Sequence, residues 1–239
     1  MTRCLGLLAV AAVFCASPLA AAGDDLPNVE KKIIEAWSKH KSVRARLTAT
    51  THAVNGIFVT DGKGEGTFEF VRKDGKLYSR MELTSKLVRQ TGDNKKEFGQ
   101  RMLVVVDGEF AYTFSEFGGR KTARKTSIGP KMTGDPKALF AQQRETHALR
   151  LLPEQTVDGH KTYVIEAAPK GGSALRKTVF FFRQDIGLMV RMVMYDQTGT
   201  PMTTMTYSDI KLNTDIKPER FVFEAPEGVT VIDLTGPKP

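Results

Sequence analysis

The chain has 239 residues, with 35 lysines and arginines against 27 aspartates and glutamates, and a formal net charge of +8 at pH 7. A chain of this length buries roughly 70% of its surface on folding, so one domain can be stable without disulfides or metal ions. The positive charge permits attraction to anionic lipid or to an acidic partner, but it specifies neither.

The first 22 residues have the pattern of a secretory signal peptide, with a positive Arg3, an apolar run over 5–15 and a small-residue cleavage site that ends at Ala22. The apolar run is too short to span a membrane. We therefore expect residues 23–239 to form a single soluble, exported domain. Cleavage would remove Cys4 and Cys15, which excludes disulfides, cysteine catalysis and thiolate metal sites from the exported part.

The exported part is predicted to begin with an amphipathic helix over 26–41. Ile33 and Trp37 lie four residues apart on its apolar face, Pro27 fits its first turn, and Asp24 or Asp25 can cap it. Trp37 is more often packed on a sheet in such a position than bound to a ligand. We expect it to hold this helix against the strands that follow.

From residue 43 onward the hydrophobic period changes to two, which predicts strands, and Asp-Gly pairs such as Asp74–Gly75 signal hairpin turns. The alternation breaks over 134–152, where a second helix is predicted with Asp135 as its N-cap. Strands are predicted at 43–50, 67–72, 76–83, 87–91, 102–106, 109–115, 120–126, 149–157, 160–168, 175–183, 188–195 and 202–210.

These ten to twelve strands with short links predict a mainly β fold. We expect an incomplete antiparallel β-barrel, or a strongly curved sheet, with a helical lid and an N-terminal helix. The glycines of the run 62–66 are expected to bend their strand. Near the C-terminus, Phe221 and Phe223 alternate as in a short strand that ends before Pro226. We expect this stretch to close the sheet.

Strand parity predicts which side chains point inward. Phe68 and Phe70 share one face, and Arg72 has the same parity, so its charge should point to the concave side or its rim. The alternative is that Arg72 ends its strand and turns into water. The other predicted inward residues are Leu77, Met81, Leu83, Phe180, Phe182, Val190, Met192, Met194, Met205 and Tyr207.

An interior rich in methionine and phenylalanine has two interpretations. It is either a packed core or a deformable apolar cavity, because the unbranched, polarizable methionine side chain adapts to irregular neighbours. The number of methionines in the last two strands favours the cavity.

Several kinds of chemistry are absent from the sequence pattern. The four histidines show no metal-ligand spacing, and there is no nucleophile elbow, so we expect no enzyme, no cofactor and no metal. The basic stretch 120–125, continued by Lys131, can meet anionic headgroups or an acidic partner, or can simply keep the surface soluble. Nucleic acid is a poor partner, since aromatic side chains do not interleave with these charges.

Two motifs resemble one protein family. They are the closing stretch Phe221-x-Phe223-x-x-Pro226-x-Gly228-Val229-Thr230-Val231-x-Asp233, preceded by 209–213, and Gly64-x-Gly66-x-Phe68 running into Arg72. Together with the order of the predicted elements, they are similar to the LolA and LolB type of periplasmic lipoprotein carriers. The resemblance covers essentially the whole exported part.

This resemblance implies an open barrel whose helices form a lid over an apolar cavity. It implies a soluble, monomeric periplasmic carrier, without stable membrane insertion, that shields the acyl chains of lipoproteins or related lipids and delivers them to the outer membrane. An inner-membrane transporter that releases the cargo and an outer-membrane acceptor are the implied partners. The family's functional arginine, which holds the lid through hydrogen bonds, maps onto Arg72.

Two other functions stay open at this point. The same fold can serve an envelope sensor or regulator that binds a partner protein or lipoprotein. A hydrolase acting on lipid or glycan would need a cleft with converging titratable groups, and the sequence does not point to one.

Overall fold

The computed structural model describes residues 25–128 and 136–236, without the side chain of Ala138. The predicted signal peptide, Lys131 and the predicted cap Asp135 lie outside these residues. The two α-helices of the described part are α1 (Leu26–Ser38) and α2 (Pro136–Thr146), and a 3₁₀ helix covers Pro218–Phe221. The twelve strands are β1 (Ser42–Asn55), β2 (Phe58–Lys73), β3 (Lys76–Thr91), β4 (Asn94–Asp107), β5 (Phe110–Phe117), β6 (Arg120–Ser127), β7 (His147–Val157), β8 (His160–Pro169), β9 (Leu175–Arg183), β10 (Met189–Asp196), β11 (Pro201–Leu212) and β12 (Val231–Asp233).

All twelve strands belong to one curved sheet, in the order β12-β6-β5-β4-β3-β2-β1-β11-β10-β9-β8-β7. Neighbours pair in antiparallel fashion except β12, which runs parallel to β6. The pairing of β1 with β11 joins the early and late halves of the chain. The sheet does not close, because β7 and β12 remain its two ends. The predicted mainly β fold with an open, strongly curved sheet is therefore confirmed.

The N-terminal helix begins where the sequence predicts it and ends at Ser38, three residues before the predicted end at residue 41. Asp25 is its N-cap, with a side-chain oxygen that accepts a hydrogen bond from the backbone N–H of Asn28 at 2.9 Å, and Pro27 lies in the first turn. The buried side of α1 contains Ile33 and Trp37. Among the described residues, no helix is long and apolar enough to cross a membrane.

We call the face of the sheet that meets α1 the inner face. Ile33 packs there with Phe140 of α2, Ile165 of β8 and Phe182 of β9. One helical turn later, the Trp37 ring stacks on Phe70 of β2, with 4.7 Å between the ring centroids. The two helices therefore cover only part of the inner face, over β8, β9 and the end of β2.

The C-terminal segment lies on the opposite, outer face, and here the sequence prediction is wrong. The predicted strand over Phe221–Phe223 is absent, since the chain enters a 3₁₀ helix at Pro218. The Phe223 ring instead stacks on Tyr112 at 5.0 Å, and Val229 and Val231 pack on the same outer cluster. A short β12 then lengthens the sheet without closing it. Burial of these rings on β4–β6 decides the path of the segment.

An ion-pair cluster fixes this segment to the sheet. Glu69 of β2 is 4% exposed and accepts hydrogen bonds from Arg44 at 2.9 Å and from Arg220 of the 3₁₀ helix at 2.8 Å. A buried carboxylate is tolerated only when it is paired in this way. Strand parity places Glu69 outward, but the sequence does not show that its second partner comes from 151 residues away.

The strands β1 to β4 are all longer than the sequence predicts. The pattern places a charged loop at 93–97, yet β4 begins at Asn94 and pairs with β3 from Thr91 onward. β5 and β6 have only 8 residues each, so the β1–β2 and β3–β4 hairpins project beyond them. Cross-strand pairing over the full length outweighs the low strand propensity of the charged residues.

The glycine run of β2 lies on the inner face, at the point where β3 approaches closely. A Cβ at Gly66 would overlap the backbone carbonyl oxygen of Glu82, and one at Gly64 would overlap the side-chain oxygen of Ser85. These glycines therefore allow the strong curvature of the sheet, as the sequence suggested.

Gly66→Ala is expected to lower the free energy of unfolding by about 2 kcal/mol or more, because backbone has to move to admit the methyl group. Gly99→Ala on β4 is the matched control, since a Cβ there meets no atom within 4 Å. Urea titration followed by circular dichroism measures both. Equal losses for the two variants would show that the glycine run does not set the curvature.

Candidate functional site

Apolar side chains from strands in the middle of the sheet converge on the inner face beside α1. Phe68 pairs with Met81, and Met192 pairs with Met205, and directly paired residues project from the same face. We call the cluster at their centre the open apolar row. It consists of Ala45, Leu47, Phe68, Met81, Leu83, Met189, Met205, Tyr207 and Ile210.

The open apolar row is only partly covered. Leu47 at its floor is fully buried, but Phe68, Met81, Leu83 and Met205 are half-buried. All its members come from strands, whereas the two neighbouring inner clusters contain residues of α1. Apolar side chains left half-exposed on a concave face form the kind of surface that receives an apolar ligand.

Tyr207 adds no charge to this surface. Its ring meets Phe68 edge to face at 5.4 Å, and burial raises the pKa of its phenol to about 12. The hydroxyl group therefore stays neutral at physiological pH, and the row remains apolar.

Arg72 lies at the rim of the inner face, as its parity predicts. It pairs with Leu77, and its guanidinium carbon is 5.9 Å from the ring centroids of both Trp37 and Phe70. The alternative, in which Arg72 turns away into water, does not fit this position. Cation–π contacts of this kind contribute about 0.5–1 kcal/mol each at partly exposed sites. Arg72 thus connects the end of β2 to α1 through the Trp37 ring, and within 25–128 and 136–236 its side chain makes none of the hydrogen bonds that the resemblance implies.

A second contact joins the two helices. Arg144 of α2 donates to both carboxylate oxygens of Glu30 in α1, at 2.7 and 2.6 Å, and Glu30 is 7% exposed. The pair makes α1 and α2 one unit above the inner face. Sequence reasoning missed it, although Glu30 falls at helical spacing between Leu26 and Ile33 on the apolar side of the helix.

The other predicted inward residues divide between covered and open parts of the face. Phe70, Phe180 and Phe182 are buried beneath the helices as packed core, with Leu77 and Met192 packed against them. Met194 pairs with Thr203 on the inner face and is half-buried.

The predicted inward position of Val190 is wrong. It packs with Val164 and Phe181 in a separate cluster, while Met189 takes the inward position. The reason is a register shift between Met189 and Arg191, which moves one residue to the other face. Uniform alternation cannot reveal such a bulge.

His40 lies beyond the last turn of α1, close to Arg72. Neither of its ring nitrogens has a hydrogen-bond partner among the described residues. Burial lowers the pKa of the imidazole from its usual value of 6.5, Asp185 opposes this effect, and Lys39 and Arg72 add to it. The ring is therefore held neutral at the junction between α1 and the sheet.

No cluster of three or more histidine, cysteine, aspartate or glutamate side chains that could hold a metal ion occurs in the described part of the chain. The site consists of apolar surface, one rim cation and a helical cover. Such an arrangement can bind and release an apolar group.

The comparisons with known proteins agree with the fold. A family model described as an uncharacterized protein matches residues 139–227. No curated protein matches the sequence. An uncharacterized conserved protein from Thermus thermophilus superposes with a TM-score of 0.51 at 9% identity, over 85% of this chain and 98% of the other. That protein shows the same overall fold.

Two further structures are similar at lower TM-scores. MucB in complex with MucA(peri) has a TM-score of 0.44 and 17% identity, over 84% of this chain, and the match spans 60% of the MucB chain. A LolA superfamily protein from Nitrosomonas europaea has a TM-score of 0.31 and 14% identity, over 84% of this chain and 99% of the other. The structural neighbours of this chain include this member of the LolA superfamily.

The lowered pKa of His40 predicts a pH effect on stability. Because the unfolded chain binds the proton more readily, the free energy of unfolding should fall as the pH drops below 6.5. His40→Asn should lose less stability than the native chain between about pH 7.5 and 5.5, a range in which histidines titrate and most carboxylates do not. Thermal unfolding across this range tests the prediction, and parallel curves for the two proteins would contradict it.

Proposed function

We propose that this protein is a soluble periplasmic carrier that shelters the acyl chains of lipoproteins, or of related lipids, on the open apolar row and delivers them to the outer membrane. The observation that carries the proposal is the half-exposed row of phenylalanine, methionine and leucine beside a helical cover. The sequence resemblance to lipoprotein carriers supports the same function.

The composition of the row suits a cargo that must be released. Each methylene group removed from water contributes about 0.8 kcal/mol, so acyl chains need a comparably apolar host while they cross an aqueous space. Methionine side chains such as Met81 and Met205 adapt their shape to a flexible chain without a fixed pocket. Binding by burial alone leaves no covalent bond to break at delivery.

The helical cover can regulate the binding of cargo. The Glu30–Arg144 pair joins α1 to α2, and Arg72 connects α1 to β2 through Trp37 and Phe70. In the proposed cycle, cargo displaces α1, together with its Trp37, from Phe70 and Arg72. The contact of Arg72 with Trp37 then favours the return to the cargo-free state. A ligand shifts such an equilibrium only by its difference in affinity for the two states.

Replacing methionines of the row should weaken the binding of apolar ligands. Met81→Gln/Met205→Gln is expected to bind a fluorescent fatty acid about tenfold more weakly, because two apolar contacts become polar. Met202→Gln is the control, since Met202 is on the same strand as Met205 but lines a depression of the outer face together with Thr50, Lys63 and Thr204. Fluorescence titration measures the dissociation constants. An equal effect of Met202→Gln would place binding elsewhere.

Arg72→Leu should keep the fold but retain bound cargo, because the loss of the contact with Trp37 of α1 removes stabilisation of the cargo-free state. About 0.5–1 kcal/mol corresponds to a roughly 2- to 5-fold slower release. Arg191→Leu is the matched control, since Arg191 has a similar 5.9 Å contact with Phe181 away from the open apolar row. Transfer of a labelled lipoprotein to vesicles, measured with thermal stability, tests this. Native release rates in Arg72→Leu would contradict a role in the lid.

A second candidate is a regulator that binds a partner protein. It is favoured by β7, which among the described strands pairs with β8 alone and so presents an edge at which another strand could add. Mass spectrometry of the material that co-purifies from the periplasm separates the two. Acylated lipoprotein or lipid in stoichiometric amount supports the carrier, and a single lipid-free protein partner supports the regulator.

A further inference from the structure

The projecting ends of the β1–β2 and β3–β4 hairpins carry an unusual amount of exposed apolar surface. Ile57 in the first turn is 72% exposed, Val54 is 57% exposed and Phe58 is 44% exposed, and Phe117 at the end of β5 is 39% exposed. These are four of the seven large apolar side chains that are exposed in the described part of the chain. We call these four residues, together with Phe98, the apolar tip.

The apolar tip is continuous with the inner face. Phe58 has the same parity on β2 as Phe68, and Phe98 pairs with Leu87 on the face that holds Leu83. Phe98 and Phe117 stack with 5.5 Å between their centroids. The tip therefore lies at the projecting end of the sheet face that carries the open apolar row.

Cations surround the aromatic rings of the tip. The Arg89 guanidinium carbon is 5.9 Å from the Phe58 centroid and 5.4 Å from the Phe98 centroid, and the Lys96 amine is 5.4 Å from that of Phe98. Within 84–101, five lysines and arginines stand against two acidic residues, the β5–β6 turn adds Arg120 and Lys121 beside Glu116, and the β1–β2 hairpin adds Asp61. This end of the molecule is therefore positive.

We propose that the apolar tip docks reversibly onto an anionic lipid bilayer. Exposed apolar and aromatic side chains that enter the headgroup region, with lysine and arginine beside them, are the features of interfacial membrane binding. Each cation near an anionic surface contributes to the attraction, and its aliphatic stem can lie along apolar surface while the charge stays in water. An acidic protein would satisfy the cations, but it would not account for Val54 and Ile57 at a projecting turn.

The apolar tip deepens the proposed function. Only the purpose that docking would serve rests on the proposed function. A tip that meets the bilayer would place the end of the open apolar row where acyl chains leave or enter the membrane. The evidence for docking itself is the exposure and the charge of the tip. Bilayer binding and fatty-acid binding can therefore be lost separately.

Co-sedimentation with vesicles tests the proposal. The native chain should bind vesicles of phosphatidylglycerol and phosphatidylcholine, bind pure phosphatidylcholine at least about tenfold more weakly, and lose binding as salt is raised. Ile57→Ser/Phe58→Ser should bind the anionic vesicles roughly tenfold more weakly. Val222→Ser/Leu234→Ser, which alters two exposed apolar residues away from the tip, should bind like the native chain.

The charges are tested in the same way. Arg89→Gln/Lys96→Gln should lose roughly tenfold in affinity, and Lys31→Gln/Lys211→Gln, with the same change in net charge, should lose much less. Equal binding to anionic and neutral vesicles would overturn the proposal, as would equal losses in the tip and control variants. Fatty-acid titration of the tip variants should give native affinity. A native chain that binds vesicles but no fatty acid would count against the proposed function and leave the docking of the tip standing.

A tryptophan at the tip gives a measurement that does not depend on removing side chains. Trp37 is the single tryptophan of the chain and is 6% exposed. Ile57→Trp should therefore add a fluorescence signal that lipids brominated on their acyl chains quench, while the native signal changes little. An Ile57→Trp signal that is no more quenched than that of Val222→Trp would contradict insertion of the tip.

Discussion

The packing of α1 on only one part of the inner face decides what the rest of the sheet can do. Trp37 stacks on Phe70 at one end of the helix, and Ile33 enters the cluster of Phe182 at the middle. These contacts bury the rings of β8, β9 and the end of β2 as an ordinary core. The neighbouring cluster that contains Phe68, Met81 and Met205 includes no residue of the described helices, and these three side chains stay partly exposed.

Partial cover has an energetic consequence. A fully covered inner face would gain more from burial of apolar surface, so the half-exposed row represents stability that the fold itself does not recover. A ligand with apolar chains can supply that burial when it binds. Besides the apolar packing of Ile33 and Trp37, the cover is held by the Glu30–Arg144 pair and by the contact of Arg72 with Trp37.

The outer face follows a different principle. There the C-terminal segment is held by stacked rings at Tyr112 and Phe223 and by the buried Glu69 with its two arginines. The outer face of β4–β6 is thus a closed core. The projecting hairpins carry the positive charge and exposed apolar side chains beyond both.

Several features could be predicted from the sequence because they depend on local periodicity. The helix at 26–38, the turns at Asp-Gly pairs, the open curved antiparallel sheet and the inward parity of Phe68, Arg72 and Met81 all follow from patterns of two or 3.6 residues. The glycine run also indicated a bend, since glycine alone leaves room for the close approach of the neighbouring strand.

The tertiary structure decided everything that depends on partners distant in the chain. The inversion of Val190 comes from a shift in register against β9, and the 3₁₀ helix at Pro218–Phe221 comes from packing and ion pairing with β2 and β4–β6. The length of the projecting hairpins comes from cross-strand pairing that overrides the charges of 93–97. Sequence alone determined which side chains share a face, but only the folded chain determines which faces are covered, because cover depends on contacts between elements far apart in the chain.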